Sequence, residues 1–129
     1  MAQDNVGVIE AAWEAFGKGD LDKAVDVAAP EGEIVAPDSL PWGGTYVGPD
    51  GFRDLLGQIF QRFEGFSAKP EKVLGADDDH VVVVASISGR AKGGKDLRGR
   101  VVWVYQLRDG KVVRAETFPD SAAILDALG

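Results

Sequence analysis

The chain predicts an α+β fold in which helices lie on one face of a curved, mostly antiparallel sheet. Three observations carry that reading. Apolar residues recur at helical spacing through the first half and change to period two from Phe66 onward. The period-two stretches are joined by short turn-forming links, which makes successive strands antiparallel. The order of elements is two helices, a short strand, a third helix, then a strand meander and a last helix, which is the segregated arrangement of the α+β class.

Each element follows from local chemistry. Val6, Ile9, Trp13 and Phe16 fall on one helical stripe, which Gly17 and Gly19 end. Asp20 is placed to cap a second, shorter helix with Leu21, Ala24, Val25 and Ala28 on its inner face, stopped by Pro30 and Gly32. Residues 33–36 are extended, and Pro37 restricts Ala36 to the extended region. The loop 37–48 is dense in Pro and Gly yet carries Leu40, Trp42 and Tyr46, side chains that need a surface to lie against. Pro49 suits the first turn of a third helix, whose apolar face is Phe52, Leu55, Leu56, Ile59, Phe60 and Phe63, and which Gly65 stops. Strands are read at 67–74, His80–Ala91, Asp96–Arg108 and 111–118. Asp120, after Pro119, caps a final helix with Ala123, Ile124, Ala127 and Leu128 inward. With 129 residues, no repeat and no low-complexity tract, residues 1–129 are one domain with a real core.

Composition removes several function classes. Lys+Arg 14 against Asp+Glu 21 leaves a net charge of −7, which sets the average surface against nucleic acid. Cys 0 removes disulfides, thiolate nucleophiles and cysteine metal sites, and a single histidine, His80, leaves little for a catalytic triad or a histidine metal cluster. No apolar run approaches the ~20 residues of a membrane span and no charged-then-apolar leader opens the chain, so the expectation is a soluble, cytoplasmic protein with no membrane partner. The run Asp77-Asp78-Asp79 lacks the liganding positions of a calcium loop, and Gly43-Gly44 lacks the Lys-Ser or Lys-Thr of a phosphate loop. Lys92, Lys95, Arg98 and Arg100 read as protection of a sheet edge. Neither a metal nor a cofactor is expected.

The order of elements carries a resemblance. So do the loop Leu40-Pro41-Trp42-Gly43-Gly44-Thr45-Tyr46-Val47-Gly48 leading into a helix, and the ending Arg108-Asp109-Gly110-Lys111-Val112-Val113 … Phe118-Pro119-Asp120 with its terminal helix. Together they resemble the SnoaL-like branch of the nuclear transport factor 2-like superfamily, over essentially the whole chain. The resemblance implies a cone-shaped α+β barrel, in which a strongly bent sheet wraps three helices, with a short C-terminal helix, around a deep apolar cavity open at one end. It also implies a homodimer through the outer face of the sheet and cofactor-free chemistry. The superfamily includes ketosteroid isomerases, polyketide cyclases, dehydratases, epoxide hydrolases and non-catalytic modules, so the fold leaves the function open.

Most of the corresponding catalytic groups are missing. Where a ketosteroid isomerase-like site wants a tyrosine, an aspartate base and a protonated acid, an ungapped reading finds Ala12, Ala36 and Trp103. Asp38 lies two residues past Ala36, which returns to the same strand face if the chain stays extended. A dehydratase-like site needs cavity histidines, whereas His80 adjoins an acidic turn. An epoxide hydrolase-like Asp-Arg-Asp cluster is only hinted at by Arg114 and Glu116. The cyclase branch places an acid at the start of the last helix, where Asp120 stands.

The register of the last hairpin decides what faces the cavity. A two-residue turn at Asp109-Gly110 pairs Arg108 with Lys111 and Trp103 with Glu116, which puts Arg114 and Glu116 inside. A three-residue turn pairs Leu107 with Lys111 and Trp103 with Ala115, which lines the cavity with Trp103, Tyr105, Val113, Ala115 and Thr117. The second is preferred, because two charges in an apolar cavity cost about several kcal/mol each unless well paired. Arg114 and Glu116 then lie outside with Val102, Val104, Gln106 and Phe118, a half-apolar face suited to a sheet-to-sheet dimer.

The candidate catalytic residues are Asp38 and Asp120. A carboxylate among apolar walls suits proton transfer near neutral pH; the competing roles are a turn residue for Asp38 and a helix N-cap for Asp120. The candidate substrate-binding residues are Trp13, Trp42, Tyr46, Trp103, Tyr105 and Thr117, which would wall an apolar cyclic ligand such as a polyketide or steroid-like ring system. Tyr46 or Tyr105 would donate to a developing oxyanion. Two functions follow: a small-molecule pocket protein, as an acid–base isomerase, cyclase or dehydratase, or a non-catalytic dimeric binding or interaction module.

Overall fold

A computed structural model describes residues 2–129, with side-chain surroundings from Asp4 onward. Helix α1 (Ala2–Gly17) and the short α2 (Leu21–Val25) lead into strand β1 (Ala28–Ala36), followed by β2 (Gly44–Val47) and helix α3 (Gly48–Arg62). Then come β3 (Phe63–Gly75), β4 (His80–Ala91), β5 (Asp96–Arg108), β6 (Lys111–Pro119) and helix α4 (Ser121–Leu128). The six strands form one curved sheet in the order β2-β1-β6-β5-β4-β3, antiparallel throughout except where β1 runs parallel to β6. The α+β class is as the sequence predicts. The sheet stays open, with β2 and β3 as its two edges.

Alternation along the strands fixes which face the helices cover. Val81, Val83, Ala85 and Ile87 of β4 are buried, as are Leu97, Val101, Trp103, Tyr105 and Leu107 of β5, while their neighbours are half-exposed or exposed. Against this inner face lie α1, with Ile9 and Trp13 buried, and α3, with Leu55 and Leu56 buried. Helix α4 packs on β5 and β4 near the end of their hairpin. It can approach because Gly99 has no side chain there: a Cβ would stand 3.2 Å from Asp120 Cβ and 3.5 Å from Ala123 Cβ. The predicted caps form, with the Asp20 side chain accepting from Lys23 N and the Asp120 side chain from Ala123 N. No helix among the described residues is long and apolar enough to cross a membrane.

Four local expectations need correction. Ala28 is the first residue of a strand, not part of the second helix, and the strand predicted at 33–36 begins there. Its Pro30 and Gly32 are absorbed by a break in register between Ala28 and Glu33. The predicted loop contains β2, which pairs Tyr46 with Ile34 and Gly44 with Ala36. The third helix ends at Arg62 before reaching Gly65, because Phe63 is already extended and paired with Ala91; Gly65, at φ 60°, belongs to an irregularity in β3.

The fourth correction concerns the last hairpin. Asp109 and Gly110 both have positive φ, 54° and 77°, so the turn has two residues and pairs Arg108 with Lys111. A bulge then adds one residue to β6, so that beyond it Tyr105 faces Ala115, Trp103 faces Thr117 and Val104 faces Glu116. The turn is the one not preferred, yet the bulge keeps Ala115 and Thr117 inward and Arg114 and Glu116 outward. Val112, not Val113, joins them inside. Outside, Arg114 spans Glu33 and Glu116, each at 3.3 Å.

Two glycines give opposite predictions for stability. A Cβ on Gly32 would meet the Val112 carbonyl oxygen at 2.4 Å, a backbone atom held by the β1–β6 pairing, so Gly32→Ala should lower the unfolding free energy by about 2 kcal/mol or more. Gly57, inside α3, has nothing within 4 Å of an added Cβ, so Gly57→Ala should raise it by about 0.5–1 kcal/mol. Urea unfolding measures both, and a neutral Gly32→Ala would contradict the close packing of β1 on β6.

Candidate functional site

Between the inner face of the sheet and helices α1, α3 and α4 lies a hollow of about 90 Å³. Its aromatic walls are Trp13 and Phe16 from α1, Trp42 from the loop after β1, Phe52 from α3, Phe63 and Phe66 from β3, and Trp103 and Tyr105 from β5. Leu97, Pro119 and Ile124 close the end under α4. Strand spacing explains the central stack: Trp103 and Tyr105 are two residues apart, share a face, and stack at 5.5 Å with planes 11° apart. Trp13 meets Trp103 edge-on at 6.3 Å, and Phe52 lies 5.9 Å from it.

The loop that brings Trp42 inward is tightly built. Leu40 N donates to Pro37 O and Gly43 N to Leu40 O, giving two successive turns, while Leu40 and Trp42 are buried. Tyr46 holds this loop to α3: its hydroxyl donates to Trp42 O at 2.7 Å and accepts from Gln58 Nε2 at 2.9 Å. The Trp42 ring packs edge-on to Phe63, and the Arg62 guanidinium sits 5.9 Å from its centre.

Polar groups in the hollow are few. Trp13 Nε1 donates to the Tyr105 hydroxyl oxygen at 3.0 Å, both side chains being buried. Burial pushes the Tyr105 phenol well above its ordinary value, and the bond from Trp13 offsets this only in part. Thr117, on β6 opposite Trp103, is 7% exposed and also lines the hollow. Among the described residues, no Asp, Glu, Lys, Arg or His lines it.

Of the sequence-predicted residues, the fold brings together Trp13, Trp42, Trp103, Tyr105 and Thr117. Tyr46 stands behind Trp42 as a clamp. Asp38 is exposed in the turn after Pro37, and Asp120 is exposed as the cap of α4, next to the lining residue Pro119; neither carboxylate lines the hollow. Phe63, read as core from sequence, is both core and wall. Sequence reasoning missed Phe16, Phe52 and Phe66 as wall residues. The signal for Phe52 was an apolar face on α3 too broad for packing alone, whereas Phe66 sat at the change of period. The steroid-like expectation also narrows, because ~90 Å³ is too small for a fused ring system. Among the described residues there is no group of three or more metal-ligating side chains.

The family described as the SnoaL-like domain matches residues 9–115. Among solved structures, the chain is similar to TerC co-crystallised with polyporic acid (24% identity, 97% of this chain and 98% of that one, TM-score 0.88). It is also similar to an NTF2-like protein from Burkholderia thailandensis E264 (24%, 97% of each, TM-score 0.90). A third is a putative SnoaL-like polyketide cyclase from Jannaschia sp. CCS1 (20%, 98% and 92%, TM-score 0.82). No functionally curated protein matches the chain. At these identities the likeness establishes the fold.

Tyr105 yields a pH prediction. Its phenol is raised in the folded state, so its contribution to stability is complete below the ordinary value of about 10 and is lost as pH rises beyond it, where only the unfolded chain ionises readily. In an alkaline titration, the phenolate absorbance that separates wild type from Tyr105→Phe should appear only together with loss of the far-ultraviolet circular dichroism. Ionisation of Tyr105 in the folded protein near pH 10 would contradict its burial.

Proposed function

The chain belongs to the SnoaL-like domain family, and on that premise we propose that it is a small-molecule pocket protein that takes an uncharged, ring-bearing apolar ligand into the hollow beneath its sheet. The observation that carries this reading is the lining: Trp13, Trp42, Phe52, Trp103 and Tyr105 converge on an unfilled space, and among the described residues no charged side chain joins them. Apolar enclosure with few polar groups is the usual character of a small-molecule site. Flat rings lying against indole and phenol faces gain area burial together with edge and stacking contacts.

Binding without acid–base turnover is the better-supported form of this proposal, because Asp38 and Asp120 are both exposed and outside the lining. Catalysis by Asp120 is the second reading. One observation favours it: the residue directly follows Pro119, which borders the hollow, and faces Gly99 on the inner side of β5. Its carboxylate already accepts from Ala123 N, a bond that asparagine can also make. Asp120→Asn therefore separates the readings without removing the cap.

We also propose a homodimer through the outer face of the sheet. Val82 pairs with Val104, and Val84 with Val102, which in turn pairs with Phe118, so these side chains form one continuous half-exposed apolar patch. Phe118 is 50% exposed. Beside this patch Arg114 pairs with Glu33 and Glu116 within the protomer, which leaves the apolar residues as the surface a two-fold contact would bury.

Native mass spectrometry of the purified protein reads both proposals. The expected result is twice the chain mass, with an adduct of an uncharged cyclic compound that Asp120→Asn retains. A monomer at micromolar concentration would overturn the dimer. Loss of all turnover on the identified compound in Asp120→Asn, with its adduct retained, would favour the catalytic reading.

A further inference from the structure

Among the described residues the hollow contains donors and no charge, and that asymmetry points to a ligand. Trp13 Nε1 is a donor only, so its 3.0 Å bond to Tyr105 uses a lone pair of the phenol oxygen and leaves the hydroxyl hydrogen free. Among the described residues nothing accepts that hydrogen, although Tyr105 is 4% exposed. Thr117, on the neighbouring strand, is 7% exposed and its side chain borders the same space. A buried hydroxyl without an acceptor is an incomplete polar group, and the hollow is where an acceptor would have to come from.

Charge narrows the chemistry further. Arg62, the cation at Trp42, lies over that ring and is not among the lining residues, and its Nη1 donates to Gln58 O. A carboxylate placed in the hollow would lose its water without gaining a cation. A neutral carbonyl oxygen would accept from Tyr105 while its ring lay against Trp103 and Phe52.

We propose that the Trp13–Tyr105 pair, with Thr117, makes the hollow selective for neutral single-ring carbonyl compounds over hydrocarbons of the same shape and over the corresponding carboxylates. The inference rests on the pocket reading above and assigns it a ligand class and a selectivity device. Trp13 is the positioning residue: by occupying the phenol lone pair it commits Tyr105 to donating. Thr117 offers a second, shorter-reach donor on the adjacent strand.

Three probes of one size test this by calorimetric titration: acetophenone, ethylbenzene and benzoate. Acetophenone should bind about two- to tenfold more tightly than ethylbenzene, the range of one neutral hydrogen bond. Benzoate should bind at least about tenfold more weakly than acetophenone. The acetophenone carbonyl stretch should move to lower wavenumber on binding. Tyr105→Phe should abolish both the preference and the shift while ethylbenzene still binds, and Thr117→Val, a near-isosteric change, should reduce the preference. Equal binding of acetophenone and ethylbenzene to the wild type, or benzoate binding as tightly as acetophenone, overturns the selectivity proposal and leaves the pocket reading standing. If none of the three binds, the pocket reading falls, and this proposal with it. Should Tyr105→Phe fail to fold, Thr117→Val and the wild-type carbonyl stretch still decide: an unshifted stretch in bound acetophenone counts against the proposal.

Discussion

The indole N–H of Trp13 and the phenol oxygen of Tyr105 meet across 92 positions of sequence, joining α1 to the middle of β5. Both groups are buried, so neither has water as an alternative partner, and breaking the bond would orphan an N–H at a cost of about 1–3 kcal/mol. The bond therefore ties α1 to the sheet at a fixed point. Trp103 stacks on Tyr105 and takes the edge of Trp13, so three rigid rings are locked in mutual orientation. They prop the helix away from the sheet, and the hollow lies beside them.

The other features of the site follow from keeping that space free of charge. Beyond the Asp109-Gly110 turn, an unbroken ladder would have turned Arg114 and Glu116 inward. The one-residue bulge in β6 turns them out, where they pair with each other and with Glu33, and it leaves Ala115 and Thr117 inside. The same segregation holds at the rim. Asp120 spends its carboxylate on the first turn of α4, and Tyr46 spends its hydroxyl on Trp42 and Gln58. What remains inside is hydrocarbon and ring faces with a few hydrogen-bond donors, an environment that distinguishes ligands by polarity and charge more than by detailed shape.

Much of the architecture was legible because its signals are local. His80–Ala91 and Asp96–Arg108 were read to the residue, since strict alternation bounded by turn residues leaves little choice of strand limits. The elements misread are those that tertiary pairing decides. Thr45, Tyr46 and Val47 favour a strand, but a run this short behind Gly43-Gly44 reads as loop, and it forms β2 because β1 offers an edge. Ala28 suits a helix face until the parallel contact with Val112 claims it. The bulge was invisible for the same reason: turn chemistry alone favours a two-residue hairpin, and only the cost of burying Arg114 and Glu116 argues for the slip. Within the site, aromatic character identified Trp13, Trp42, Trp103 and Tyr105, whereas the bond between Trp13 and Tyr105 depends on a helix-to-sheet distance that no spacing encodes.

The central claim is that this fold holds an unfilled apolar space beside the Trp13–Tyr105–Trp103 cluster. Xenon tests it most directly, because a dry apolar cavity takes up the gas without requiring any particular ligand chemistry. In crystals pressurised with xenon, a bound atom is expected within van der Waals reach of Trp13, Phe52 and Trp103, together with perturbed indole resonances in solution. A xenon map with no site beneath the sheet, and indole resonances that do not move, would contradict it.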